Sequence, residues 1–340
     1  MDDFSIISPQ FIIAGQLQRD YIITPMGKSL EDVPGGNLLY AATGLAVWGG
    51  NIGLISRVGQ DSPREWIEKI SRQHLDVRGI QIASESIDLR FFVAYGDSEN
   101  RFYDNPISHY SRLGLPFPKN LLGYPTTVSE ADSKQKSTSL TIRLDSLPED
   151  YFEARALLLC PLDYFTHTLL PVHMRRGSIH TVILDPAFGY MQPAYWSELP
   201  AVVKDLTAFL VSEEKLCNLF QGRSNNLWEM AETIAGYGCE IVVIKRGKLG
   251  QMVYDKPGNT RWIIPPYPAR IVNPLGTGDA FDGGFLAGFQ KTFSPLEATL
   301  YGNISASIVI EGDGAFYGLD VLPGLAQYRL DALREMVQKA

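Results

Sequence analysis

The 340-residue chain sets 30 Lys and Arg against 38 Asp and Glu, and its net charge of −8 with a pI near 5.2 excludes a broadly basic surface for nucleic acid or anionic membrane. With 45 % hydrophobic and 20 % charged residues it has the composition of an ordinary globular protein, and a chain of this length buries about three-quarters of its unfolded surface. The cysteines, Cys160, Cys217 and Cys239, are odd in number and lack any C-x-x-C spacing, the amino terminus is acidic, and no apolar run reaches ~18 residues; a disulfide framework, a zinc site, an export signal and a membrane span are not expected, and the expected setting is the reducing cytoplasm.

In chain order, residues 11–15 read as a buried strand, and residues 21–24, just after Asp20, as a second and more exposed one. Met26-Gly27-Lys28-Ser29 invites a phosphate-loop reading that fails, because Ile22 sits where the first glycine is required and no helical period begins at Ser29. Gly35-Gly36-Asn37 opens a helix over 38–48 that Gly49-Gly50 closes. A strand at 51–58 and a helix at 62–74 follow, with Ser62 as its cap and Pro63 at its first position. This alternation predicts a mostly parallel sheet covered by helices on both faces. Residues 89–95 and 101–103 read as a hairpin around residues 96–100. The stretch 105–148, rich in Ser, Pro, Lys and Gly, loses the pattern and reads as an insertion, either mobile or completing a partner's surface. Strands at 156–160, 181–184, 208–211, 240–245 and 261–264 then alternate with segments at 168–175, 194–203 and 214–220, so one α/β domain over 1–340 is expected.

Asn273-Pro274-Leu275-Gly276-Thr277-Gly278-Asp279 precedes a helical period of Phe281, Gly284, Phe285, Gly288 and Phe289. A helix starting near Gly278 offers unpartnered N–H groups and the positive end of its dipole to an anion, the glycines let backbone approach it closely, and Asp279 stands in the first turn. The competing reading is a tight turn with a helix-terminal acid. Asp185, Asp205, Glu213 and Glu214 fall near strand ends, where open parallel sheets bind ligands.

The run from Gly276 to Phe285 resembles the C-terminal signature of the ribokinase (pfkB) family of carbohydrate kinases, Asp-Thr-x-Gly-Ala-Gly-Asp followed by a Gly-rich helix. The carboxylate and both glycines match, while Asn273 stands for Asp, Pro274 for Thr and Thr277 for Ala. The resemblance implies a ribokinase-like three-layer α/β fold with a mostly parallel central sheet, helices on both faces, and a small β lid formed by strands in 17–34 and 87–104. It implies Asp279 as the base for the substrate hydroxyl and Gly276, Thr277 and Gly278 as the anion hole. Residues 35–61 resemble the family's amino-terminal signature, with Tyr40 at the position of a sugar-contacting Asn. Asp20, Gly35, Gly36 and Asn37 are accordingly expected beside the acceptor. Ser212-Glu213-Glu214-Lys215 occupies the place of the family's Asn-x-x-Glu, which helps hold magnesium through water; Glu213 or Glu214 substitutes there, or the run is a solvated charge cluster.

Lys245-Arg246-Gly247-Lys248-Leu249-Gly250 resembles the family's nucleotide turn with Lys for Thr, and is alternatively a basic surface turn. The segment 301–315 resembles the one that lines the adenine pocket. Lys245, Gly247, Gly250 and Asn303 are therefore expected at the nucleotide. The implied cofactors are ATP and Mg²⁺, and the implied partner is a small sugar or nucleoside, with a homodimer through the lid left open. A second reading, a catalytically weak member serving as a ligand-binding or assembly subunit, rests on the departures at Tyr40 and 212–215.

Overall fold

The computed structural model describes residues 8–98, 100–125 and 132–338. The first half of the chain runs β1 (Phe11–Ala14), β2 (Gln18–Ile23), β3 (Ser29–Gly35), α1 (Asn37–Ala46), β4 (Ile52–Val58), α2 (Arg64–Ser71), β5 (Asp76–Ile82), β6 (Arg90–Tyr95), β7 (Arg101–Phe102) and α3 (Pro106–Arg112). It continues with β8 (Ala156–Leu159), α4 (Tyr164–Met174), β9 (Thr181–Leu184), α5 (Leu199–Val203), β10 (Ala208–Ser212), α6 (Glu213–Leu219), α7 (Leu227–Gly236) and β11 (Ile241–Lys245). The last elements are β12 (Gln251–Asp255), β13 (Thr260–Ile264), α8 (Thr277–Thr292), α9 (Pro295–Val309) and α10 (Leu325–Gln338).

Nine strands form one sheet in the order β13-β12-β11-β10-β9-β8-β1-β4-β5, parallel except for β12 and β13 at one edge. The parallel strands are short apolar runs such as Ala-Leu-Leu-Leu in β8 and Thr-Val-Ile-Leu in β9, buried on both faces. On one side α1, α8 and α9 pack around Leu38, Leu45, Phe285 and Ile304; on the other α4 to α7 pack around Leu170, Val203, Leu216 and Ile234. This is the expected ribokinase-like three-layer fold. It brings the carboxyl ends of β1, β9, β10 and β11 to one edge, where the loops carry the candidate site. No described helix is long and apolar enough to cross a membrane.

The lid is a separate four-stranded sheet, β3-β2-β6-β7. Asp20, Ile22, Val93 and Tyr95 alternate with Tyr21, Ile23, Phe92 and Ala94, so the two sets face opposite sides. Ile22, Val93 and Tyr95 share a cluster with Leu275 of the loop preceding α8, so theirs is the face turned to that loop. β2 is also more buried than its alternation predicts, since both of its faces are covered.

Several expectations are corrected. Strands β5 and β12 and helices α3 and α7 lie where no element was expected. The segment 105–148 is not structureless: α3 is capped by the Asn105 side chain, and Tyr110 and Leu121 pack on the outward face of the lid against Tyr21 and Phe92. The expected apolar period was hidden because the anchors are single aromatics spread over irregular chain. Residues 126–131 of that segment, and Glu99 of the lid turn, lie outside the described residues. At α2, Pro63 is the extended capping residue rather than the first helical one, and the Ser62 hydroxyl makes no capping bond.

Candidate active site

The loop preceding α8 is fastened before the helix begins. The buried Asn273 side chain accepts from Leu275 N at 3.1 Å and donates to the Asp313 carbonyl at 3.5 Å, while the Asn273 amide donates to Ile310 O at 3.0 Å. Gly276 caps α8 in the left-handed region, φ 77°, a conformation that only glycine adopts without strain. Its missing Cβ is occupied by the ring of Tyr40 from α1. The Thr277 hydroxyl donates to Pro274 O at 3.0 Å, whereas the Thr277 amide makes only a 3.4 Å contact with the same carbonyl. Gly278 is exposed at the cleft, and Asp279 follows in the first turn, half-buried. Burial, and then the charge of Asp185, push the Asp279 carboxyl up to about 6.

Beside it lies a cluster that the sequence left undivided into roles. Asp185, at the end of β9, Asp279 and Asp282 bring carboxylate oxygens within 4.8 Å of one another. The Lys245 ammonium, at the end of β11, sits 2.8 Å from Asp185 Oδ2, 2.7 and 2.9 Å from the two oxygens of Asp282, and 3.4 Å from the Gly278 carbonyl. Lys215 Nζ takes the other oxygen of Asp185 at 2.8 Å. Burial opposes ionisation of Asp185, but the two ammoniums outweigh it and hold its carboxyl at about 2. Burial likewise opposes the charge of Lys245, which the carboxylates of Asp185 and Asp282 hold protonated above the usual lysine range.

On the acceptor side, Asp20 packs directly on Gly35, whose Cβ would collide with its carboxylate. Both Asp20 oxygens and the Tyr40 hydroxyl are buried without a hydrogen-bond partner. Burial drives the Asp20 carboxyl up to about 7; the nearby Gly36 backbone amide pulls it down, and the Asp279 charge pushes it up. A buried, unsatisfied acceptor is costly, which makes Asp20 and Tyr40 candidates for contact with a polar ligand. Gly36, φ 92°, makes the turn into α1. The Asn37 Oδ1 accepts from Gln16 N at 2.7 Å and its Nδ2 donates to Pro161 O at 2.9 Å, so it ties together the segments that follow β1 and β8.

The nucleotide-side residues divide similarly. Gly247 and Gly250, both left-handed, form the turn from β11 to β12. Lys245 lies under the start of α8 as described. Asn303 is a correction, since it accepts from Tyr267 N at 2.8 Å and donates to Gln251 Oε1 and Pro265 O at 3.0 and 2.8 Å; it is spent on holding α9 to β12 and the 265–267 strap. Glu213 pairs with Arg246 at 2.9 Å and Glu214 with Arg101 of the lid at 2.7 Å, so neither joins the aspartate cluster. Sequence reasoning noted Asp185 only as a strand-end acid and missed Asp282, Lys215 and the Tyr40 contact. Asp282, three residues after Asp279 on one helical face, was the signal available.

Magnesium, implied by the resemblance, fits poorly as an ion held by protein carboxylates. Asp185 and Asp282 already face lysine ammoniums at 2.7–2.9 Å, and Glu213 and Glu214 face arginines. Asp279 alone of these five acids is without a cationic partner within ion-pair distance among the described residues.

Comparison with known proteins agrees with this architecture. The family model described as pfkB family carbohydrate kinase matches residues 182–321. The cytidine kinase of Thermococcus kodakarensis is 27 % identical over 287 residues, covering 84 % of this chain and 90 % of that protein. The 5-dehydro-2-deoxygluconokinase of Geobacillus kaustophilus is 26 % identical over 335 residues, covering 93 % and 91 %. Among solved structures, fructokinase with bound ATP from Xylella fastidiosa matches with a TM-score of 0.69 at 16 % identity, covering 98 % of this chain and 100 % of that one. The nucleoside kinase of Burkholderia thailandensis in complex with inosine matches with a TM-score of 0.65 at 16 % identity, covering 97 % and 99 %. Topology and structural neighbours together give a ribokinase-like fold. The chain is similar to the ribokinase (pfkB) family of carbohydrate kinases, whose model matches residues 182–321, and the two relatives named above are kinases.

Proposed function

We propose that this chain transfers the terminal phosphoryl group of ATP to a hydroxyl of a sugar or nucleoside, with Asp279 as the general base. The observation that carries this reading is the placement of Asp279 in the first turn of α8, directly after the Gly276–Gly278 loop and close enough to Asp20 for its charge to act on that carboxyl. A carboxyl held at about 6 is ionised at neutral pH yet basic enough to accept the proton of an attacking hydroxyl. The backbone of Gly276, Thr277 and Gly278 and the dipole of α8 stabilise charge on the transferred group without reorganising. Asp20 accepts hydrogen bonds from the acceptor's hydroxyls, and Gly35 gives its carboxylate room. The lid closes over that pocket through Tyr95. Magnesium enters with the nucleotide's own phosphates, and no step here depends on a protein-held ion.

The test is ATP turnover over a panel including cytidine, inosine, ribose and fructose, with binding measured in parallel. Turnover of one acceptor supports the kinase; tight binding without turnover in any case would instead favour the ligand-binding subunit.

A further inference from the structure

The segment 212–215 places a cation, not an acid, beside the aspartate cluster. Its two glutamates turn outward to Arg246 and Arg101, while Lys215 turns inward to Asp185. Lys215 starts from the carboxyl end of β10, its amide donating to Ser212 Oγ at 3.3 Å, and Ser212 is the direct neighbour of Lys245 on β11. Both lysines thus reach the edge where α8 begins, and the positive charge of each is felt at Asp279.

The two ammoniums are not equivalent. Lys245 is held by two carboxylates and a carbonyl, whereas Asp185 is the only carboxylate that pairs with Lys215 among the described residues. If Lys215 departs, Asp185 keeps Lys245 and no bare buried charge is left. A lysine has a flexible four-carbon stem, and exchanging a carboxylate for a phosphate keeps its ammonium paired.

We propose that Lys215 is a phosphate-contacting residue of the nucleotide site, its ammonium leaving Asp185 for the terminal phosphate of ATP and supplying a fixed positive charge there in place of a cation held by protein carboxylates. This rests on the ATP-kinase reading above. Because the contact is to the terminal phosphate, it distinguishes ATP from ADP. Because the charge belongs to the chain, it operates without a divalent ion.

Calorimetric titration of the whole protein with ATP and with ADP, each in excess Mg²⁺ and in EDTA, tests this. The wild type should bind ATP in EDTA more tightly than it binds ADP. Lys215→Met should weaken ATP by about 10- to 100-fold, as expected for one lost charge-assisted hydrogen bond, and leave ADP nearly unchanged. Lys215→Arg should restore most of the difference. Equal ATP and ADP affinities in EDTA for the wild type would overturn the proposal even if the methionine variant did not fold, as would unchanged ATP binding in a folded Lys215→Met. Failure of ATP to bind under every condition would overturn the kinase reading itself, and this inference with it.

Discussion

The aromatic ring of Tyr40 fills the space that a side chain on Gly276 would need. The contact joins α1, which opens at Gly35-Gly36, to the residue that caps α8. Gly276→Ala should therefore abolish turnover and destabilise the fold by about 1–3 kcal/mol, since it adds a clash to a left-handed backbone. Tyr40→Phe keeps the ring and removes only the unpartnered hydroxyl. Its melting temperature should hold while the KM for the acceptor rises and that for ATP does not. Steady-state kinetics and thermal melts of the two variants check both statements.

Asp20 stores a pH-dependent cost. Its folded carboxyl sits near 7 against an ordinary 3.8, so its contribution is most favourable below about pH 4 and is lost as pH rises through 7. At ~1.4 kcal/mol per unit, the penalty at pH 8 is a few kcal/mol. Asp20→Asn should raise the melting temperature at pH 8 and change it little at pH 4, while raising the acceptor KM far more than that of ATP. Denaturation across this pH range, with kinetics at pH 8, is the measurement.

The core and the glycine loop preceding α8 were legible because their signals are local. Apolar strand runs, the glycine pair before Asn37, and the Gly-x-Gly-Asp before a helical period each encode their structure within a dozen residues. Side-chain partnerships across the sheet edge were not legible. Asn37 and Asn303 carry the right chemistry for ligand contacts, but their hydrogen bonds go to backbone at Pro161 and Pro265, far away in sequence. Lys215 and Lys245 meet on Asp185 only because β9, β10 and β11 are neighbours. Helix α3 escaped notice because its stability comes from Tyr110 packing on the lid rather than from its own periodicity.

That packing makes a prediction opposite to the one composition suggests. Amides in Pro106–Arg112 should exchange slowly with solvent, together with those of β2 and β6, because Tyr110 is fully buried between them and Phe117. Tyr110→Ala should cost about 3–5 kcal/mol, comparable to other buried aromatic truncations. Hydrogen exchange before and after the substitution would show whether the lid and α3 open as one unit.

Glu213→Gln and Glu214→Gln separate ion pairing from metal binding. The Glu214–Arg101 pair is exposed and the Glu213–Arg246 pair part-buried, so each substitution should cost about 0–1 kcal/mol and less at high salt. The dependence of turnover on Mg²⁺ concentration should match the wild type in both variants. A large rise in the Mg²⁺ requirement of either would restore that residue as an ion-holding group.

The most direct test of the account is the pH profile of kcat for the wild type beside Asp279→Asn. The folded carboxyl near 6 predicts that wild-type kcat climbs as pH rises through 6 and levels above it. Asp279→Asn should lower kcat by ~10²–10⁴-fold and remove that ascending limb, with ATP affinity little changed. Because the raised carboxyl is a cost to the fold above pH 6, the variant's melting temperature at pH 8 should hold or rise. A helix-terminal acid with no chemical role would give the reverse: turnover and profile intact, and a loss of ~0.3–1 kcal/mol in stability.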